Sequence, residues 1–470
     1  MEFLSFEFLA ALALVFILYW AFPKRGWQNL ILLGASLGLV LYFGASALMV
    51  LVGSTFLEWA ISLKMGLTES RKGRLSLLWL SIALNLTQLA FFKYSRFFLP
   101  EMSHLLSLTG FRTGTLRLLM PVGLSFWTLQ KMTLTLDVYH RRKAPERNFL
   151  NCLLFTGFFP TIFSGPIEHS RNLLPQFAKS RVWDTTRFSE GVWLFAIGAF
   201  QKAVIADNVA EVADALLRPG NAGVSIMLGM WAYALQIYAD FAGYSYMARG
   251  CARFLGIDIT QNFLAPYLTR NLSDYWKNWH ISLSGWLNEY IFSPVSMDLR
   301  NWGTASIVTA IWITFIASGI WHGTGWTFFT YGCFHALGLT IFTLSKQVRK
   351  QVKSRTGNAA WLGWMAILIT FNWVCLGYVF FRAPDLETAA GQIGSLFRGP
   401  WNPLTVACNW SVLVFSALAV FGLQGQVLRD RNVFWIFGKT VWFRVALYLA
   451  LGFLLLRFYA PSDRFIYTQF

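Results

Sequence analysis

Acidic side chains are scarce in this chain. Asp and Glu number 22 against 39 Lys and Arg, and charged residues make up only 13% of the 470. Soluble domains carry about 25%, so the rules for a water-soluble fold do not apply. Histidine is rarer still, with six residues in all. The five cysteines, Cys152, Cys251, Cys333, Cys375 and Cys408, are widely separated. Without a Cys-x-x-Cys they suggest neither a metal knuckle nor a disulfide framework. His-Glu-x-x-His and P-loop motifs are missing. There is no low-complexity tract and no evident repeat. The single Gly-x-Ser-x-Gly, Gly34 to Gly38, lies inside an apolar run rather than at a strand-to-helix turn. It reads as chance or close helix packing, not as a nucleophile elbow.

Long apolar runs are what the chain has in abundance. Hydrophobic residues make up 56% and aromatic residues 17%, and the mean hydropathy is +0.49. Runs of about 20 apolar residues, enough to span a bilayer, recur from end to end. They are continuous rather than alternating, which favours helices over a membrane barrel. Candidate spans fall at 6–22, 28–44, 45–63, 75–99, 117–138, 149–164, 188–206, 224–248, 304–321, 326–345, 358–381, 409–427 and 441–459. Some, such as 149–164, are short or broken by Gly and Pro and fit re-entrant segments. The first run, Phe6 to Phe22, lacks a basic leader and a cleavage site and reads as a retained helix. The expectation is one all-α polytopic membrane domain over residues 1–470, with about 11–13 spanning or re-entrant helices.

The net charge of +17 does not point to nucleic acid. The basic residues cluster in short loops between apolar runs, where the positive-inside bias places them. His140 to Lys143 with Arg147, Lys346 to Arg355, and Arg71 to Arg74 all read as cytoplasmic.

Three of the six histidines, His280, His322 and His335, fall within 226–345, the segment expected to carry the functional site. The stretch 258–303 is too polar to span. Trp276, Trp279, Leu283, Trp286, Leu287 and Tyr290 recur there at three- and four-residue steps, which predicts one interfacial or re-entrant helix from about Ser273 to Phe292. His280 flanks that stripe, and taken alone it reads first as an ordinary interfacial histidine. His322, in Gly319-Ile-Trp-His-Gly323, sits at the edge of an apolar layer. A neutral imidazole there can act as a general base, and Gly319, Gly323 and Gly325 would let a ligand approach the backbone. The alternative is a helix-end histidine bonding a carbonyl. A metal site is disfavoured, because a 13-residue gap puts His322 and His335 on opposite sides of one helix. Ionisable groups in spans are costly. For Glu58, Lys131 and Lys202 a buried pair is the simplest reading. Asp240 opens Asp-Phe-Ala-Gly-Tyr-Ser245 and suggests packing around a cavity.

The words Gln236 to Ser245, Asn262-Phe263 with Pro266-Tyr267, Trp276-Lys-Asn-Trp-His280-Ile-Ser-Leu-Ser284, Gly319 to Gly323, and Tyr331 to Ala336 together resemble the membrane-bound O-acyltransferase (MBOAT) family. Pro121 to Phe126, Phe158 to Pro160, Gly165 to Ile167 and Val379 to Ala383 agree as well. Together they cover roughly residues 1–400, and the nearest likeness is to the bacterial alginate O-acetylation branch. Ala242, Tyr246, and Asn288-Glu289 depart from that branch's pattern.

The resemblance implies a fold built around a central tunnel in the bacterial inner membrane. It implies acetyl transfer from cytoplasmic acetyl-CoA toward an exported polysaccharide, alginate-like or cellulose-like, with no metal. His322 would be the general base. His280 would be the second catalytic residue, with His335, Asp240, Trp279 and Ser282 in support. Partners would be acetyl-CoA, membrane lipid and a periplasmic SGNH-type acetyltransferase or other polysaccharide-modification subunit, but no nucleic acid. D-alanyl transfer, peptidoglycan acylation and a non-catalytic acyl-donor channel are the rivals.

Overall fold

The computed structural model describes residues 3–108, 121–356, 359–399 and 406–459. Residues 117–120, at the start of the span expected over 117–138, lie outside the described residues. Helices dominate, and no β-strand occurs among the described residues. Nine described helices are long and apolar enough to cross a bilayer, among them Ala45–Leu67, Thr304–His322, Trp326–Leu344 and Ala360–Arg382. The protein is an all-α, polytopic membrane protein.

Helix ends follow local chemistry. Ser5 accepts the Phe8 N–H at 3.2 Å and starts Phe6–Ala21, satisfying one of the donors that a helix N-terminus leaves free. Gly44, at φ 140°, is the single residue between Arg25–Phe43 and Ala45–Leu67, a conformation that only glycine adopts readily. Phe149–Gly157 is nine residues long, so the span expected over 149–164 is a short helix followed by turns.

The chain divides into two compact units, Met1–Gly191 with Ala248–Thr260, and Val192–Met247 with Gln261–Phe470. In the first, Val40, Ala47, Leu51, Leu124, Trp127, Leu153 and Ile162 form an apolar core. Beside it lies a buried polar centre. Glu58 accepts Ser81 Oγ and Asn85 Nδ2, each at 2.7 Å, and the Thr135 hydroxyl. Lys131, close enough to attract the carboxylate, donates to Gln88 Oε1 at 3.1 Å. The Glu58 carboxylate and the Lys131 ammonium thus both have polar company, as lipid surroundings demand.

Glu168 is another buried carboxyl of this unit. It accepts the Thr260 N–H. Burial pushes it up to about 7, against the opposing pull of that hydrogen bond and of Arg249.

Two outcomes follow. Lys131→Met strands the Glu58 charge and should cost about 3–5 kcal/mol. Adding Glu58→Gln should recover part of that loss in detergent unfolding experiments; simple additivity would mean that the two side chains are not coupled. Folded Glu168 keeps its proton to higher pH than the unfolded carboxyl, whose usual value is 4.5. Its contribution is therefore fully present below about 4.5 and is lost as pH rises through about 7. Melting temperature should fall across that window in the wild type and less steeply in Glu168→Gln.

Candidate active site

All six residues singled out from the sequence lie in the second unit. The single helix expected from Ser273 to Phe292 is not what forms. Instead Leu272–Asn278 and Ile281–Leu287 are separated by a break, and a π-helical turn, Asn288–Phe292, follows. Trp279 is extended and His280 is left-handed at φ 45°, ψ 55°.

The loop at 262–264 explains the break. Leu264 N donates to Asn278 O at 3.1 Å, and Ile281 N donates to Asn262 O at 2.9 Å. The Asn262 side chain accepts Ser282 N at 3.2 Å and donates to Ser245 Oγ at 3.1 Å. Asn262 thus satisfies two N–H groups at the start of the second helix, which would otherwise be orphaned. A left-handed non-glycine residue costs about 1–2 kcal/mol, and such strain tends to collect at functional sites.

The break sends neighbouring side chains to different surroundings. Trp279 is surrounded by Phe263 at 5.0 Å, Tyr275 at 5.7 Å, Tyr267 at 6.0 Å and Tyr378 at 5.7 Å, the second and third stacked. Tyr275 and Tyr378 share a 2.8 Å hydrogen bond between hydroxyls. Ser282 is buried and anchored through its N–H. His280 packs edge-on against Phe241 at 4.7 Å and lies 6.2 Å from the Trp321 ring. Burial holds its imidazole well below the usual range, and nearby His322 adds to that effect. His280 is therefore neutral at physiological pH, with one ring nitrogen a donor and the other an acceptor.

His322 ends Thr304–His322, and Trp326–Leu344 returns after a three-residue turn. Glycines make this hairpin tight. A Cβ on Gly319 would lie 2.4 Å from the Phe328 carbonyl oxygen, and one on Gly332 would lie 2.3 Å from that of Phe315. At Gly323 the space is taken by the Phe328 ring, 2.1 Å from where a Cβ would be. Gly319 and Gly323 thus serve helix packing, which corrects the expectation that they open the backbone to a ligand. The buried His322 ring meets Phe381 at 5.3 Å and Tyr331 at 6.0 Å. His335 is fully buried, with Tyr331 at 4.7 Å and Trp276 at 5.0 Å. The two histidines belong to different helices, so the one-helix geometry used against a metal does not apply. Among the described residues, no group of three or more His, Cys, Asp or Glu could hold a metal ion.

Asp240 is engaged elsewhere. It ion-pairs with Lys202 at 2.9 Å, and Lys202 also meets Asp207 at 2.8 Å. Gly198 and Gly243 pack backbone to backbone close by. Phe241, the residue after Asp240, is what reaches His280. The geometry therefore gathers His280 and His322, sets His335 one turn beyond Tyr331, and leaves Asp240 in an ion pair. Sequence reasoning gave Asn262, Tyr331 and Phe381 no role in the site, although each falls in one of the motif words; Tyr331 also stands four residues from His335, on the same helix face.

Comparison with known proteins adds the chemical class. The profile of the family described as MBOAT, membrane-bound O-acyltransferase, matches residues 72–382. The chain is 31% identical over 441 residues to the protein named probable alginate O-acetylase AlgI of Pseudomonas putida, covering 90% of this chain and 88% of that one. It is 33% identical over 414 residues to the peptidoglycan O-acetyltransferase of Helicobacter pylori, covering 82% and 76%. It is 28% identical over 271 residues to the teichoic acid D-alanyltransferase of Bacillus subtilis, covering 55% and 68%. These relatives differ in acceptor and in acyl group and share acyl transfer, so the buried histidine pair lies in a protein of one reaction class: the chain belongs to the membrane-bound O-acyltransferase family.

Proposed function

We propose that this membrane acyltransferase takes an acetyl group from acetyl-CoA on the cytoplasmic side and passes it to a hydroxyl acceptor destined for an exported polysaccharide. The observation that carries this reading is the pair of buried imidazoles, His280 and His322, which both meet the Trp321 ring, at 6.2 Å and 4.9 Å between centroids. A thioester is already activated. Its transfer needs a base for the acceptor hydroxyl, a donor for the developing oxyanion and a fixed line of approach.

His322 is the base. It takes the hydroxyl proton as the oxygen attacks the thioester carbonyl. The carbon–sulfur bond breaks, and the proton goes on to the departing thiolate to leave a free thiol. His280, neutral and held rigidly by Asn262, orients the acceptor or donates to the oxyanion. Trp279 locks the turn that presents His280, and Ser282 anchors it. A tunnel open to both faces would let donor and acceptor meet. The protein lies in a bacterial inner membrane on this reading. A periplasmic SGNH-type transferase completes delivery to the glycan, by analogy with the kinds of acceptor named among the relatives.

The test is reconstitution with radiolabelled acetyl-CoA. His322→Ala should lower acetyl transfer by about 10²–10⁴-fold, the usual worth of a general base. Unchanged transfer or thiol release would remove His322 from the chemistry and favour a passive donor channel. At position 280 the backbone adds a constraint. Asn tolerates the left-handed region and keeps a hydrogen-bonding head, so His280→Asn should retain more activity than His280→Ala. His280→Val should also lose about 1–2 kcal/mol of stability to backbone strain.

A further inference from the structure

We propose that the contact between His335 and Gly377 sets the spacing of the two helices that grip the His322 ring, which makes His335, Tyr331 and Phe381 positioning residues for acyl transfer. The inference rests on His322 being the base.

Trp326–Leu344 supplies Tyr331 and His335, which lie one turn apart on one face. Ala360–Arg382 supplies Gly377 and Phe381, also one turn apart. At Gly377 the His335 ring lies against the second helix, and about one turn away, at Gly338, the Trp373 ring lies against the first. A Cβ built on Gly377 would lie 2.7 Å from His335 Nε2 and 3.3 Å from Cε1, so any larger residue must displace the ring or the helix. One turn away, Tyr331 and Phe381 meet at 5.3 Å, and both meet His322, with interplanar angles of 87° and 74°. A shift in helix spacing at the first contact therefore moves both walls of the His322 pocket.

The identity of residue 335 supports a geometric role. His335 is 0% exposed, and neither ring nitrogen has a hydrogen-bond partner among the described residues. Burying two polar atoms without partners is costly, and an aliphatic residue would avoid that cost. What an aliphatic residue cannot supply is a flat edge. The ring stands nearly perpendicular to Trp276, at 88°, and turns its Nε2 edge toward the backbone at Gly377. A branched side chain such as leucine would present methyl groups in that space.

The experiment uses the full chain in liposomes with acetyl-CoA and follows kcat, KM and melting temperature separately. Gly377→Ala should lower kcat by about 10- to 100-fold, the scale of a displacement near 1 Å, with KM for the donor little changed. Once the ring is removed in His335→Ala, adding Gly377→Ala should cost little more. His335→Gln, planar and similar in reach, should keep more of kcat than His335→Leu, even if His335→Leu melts as high as the wild type. Additive losses in the double variant, or a wild-type kcat in His335→Leu, would overturn the proposal. The His335→Gln and His335→Leu comparison decides the matter even if Gly377→Ala does not fold. His322→Ala is run alongside: activity there overturns the base assignment itself, whereas an inactive His322→Ala with an indifferent His335 overturns only the positioning role.

Discussion

The close approach of Thr304–His322 to Trp326–Leu344 is the contact on which the second unit depends. Between helices in a bilayer the hydrophobic effect offers little, because lipid tails are as apolar as leucine. Close van der Waals packing through small residues has to serve instead. Gly319 and Gly332 allow it, each bringing its helix against a carbonyl oxygen of the other. His322 follows Gly319 by three residues, so its place is set by that contact. The same hairpin carries Trp321 toward His280 and Tyr331 toward His322.

A second constraint acts on the polar stretch between the spans. Backbone N–H groups at membrane depth need partners, and a chain that breaks its helix at His280 creates new orphans. Asn262 provides for them with both its backbone and its side chain. His280 is held in a left-handed conformation as a result. The Lys202–Asp240–Asp207 group answers the same need for charges, satisfying them within the unit. The carboxylate that looked most suggestive in the sequence is thereby explained by pairing.

Acyl transfer to a hydroxyl needs proton movement and alignment. Relatives named for alginate, peptidoglycan and teichoic acid differ in what receives the acyl group. In the proposed mechanism a buried histidine pair suits that variety, because recognition of the acceptor can vary while the proton chemistry does not.

The sequence by itself determined the membrane class, the helical fold and the approximate spans, because hydropathy is a local sum over about 20 residues and lipid allows few backbone conformations. Its motif words also identified the acyltransferase family and drew attention to His280, His322 and His335. It could not show that the helix expected from Ser273 breaks at His280, since the cause lies in a loop at 262–264 that supplies the competing hydrogen bonds. Nor could it show that glycines beside His322 serve packing, or that Phe381, 59 residues away, faces the His322 ring. Those features depend on how closely two helices approach, and that distance is decided by single Cβ atoms and ring edges in contact across the fold. Only the tertiary structure brings those atoms together.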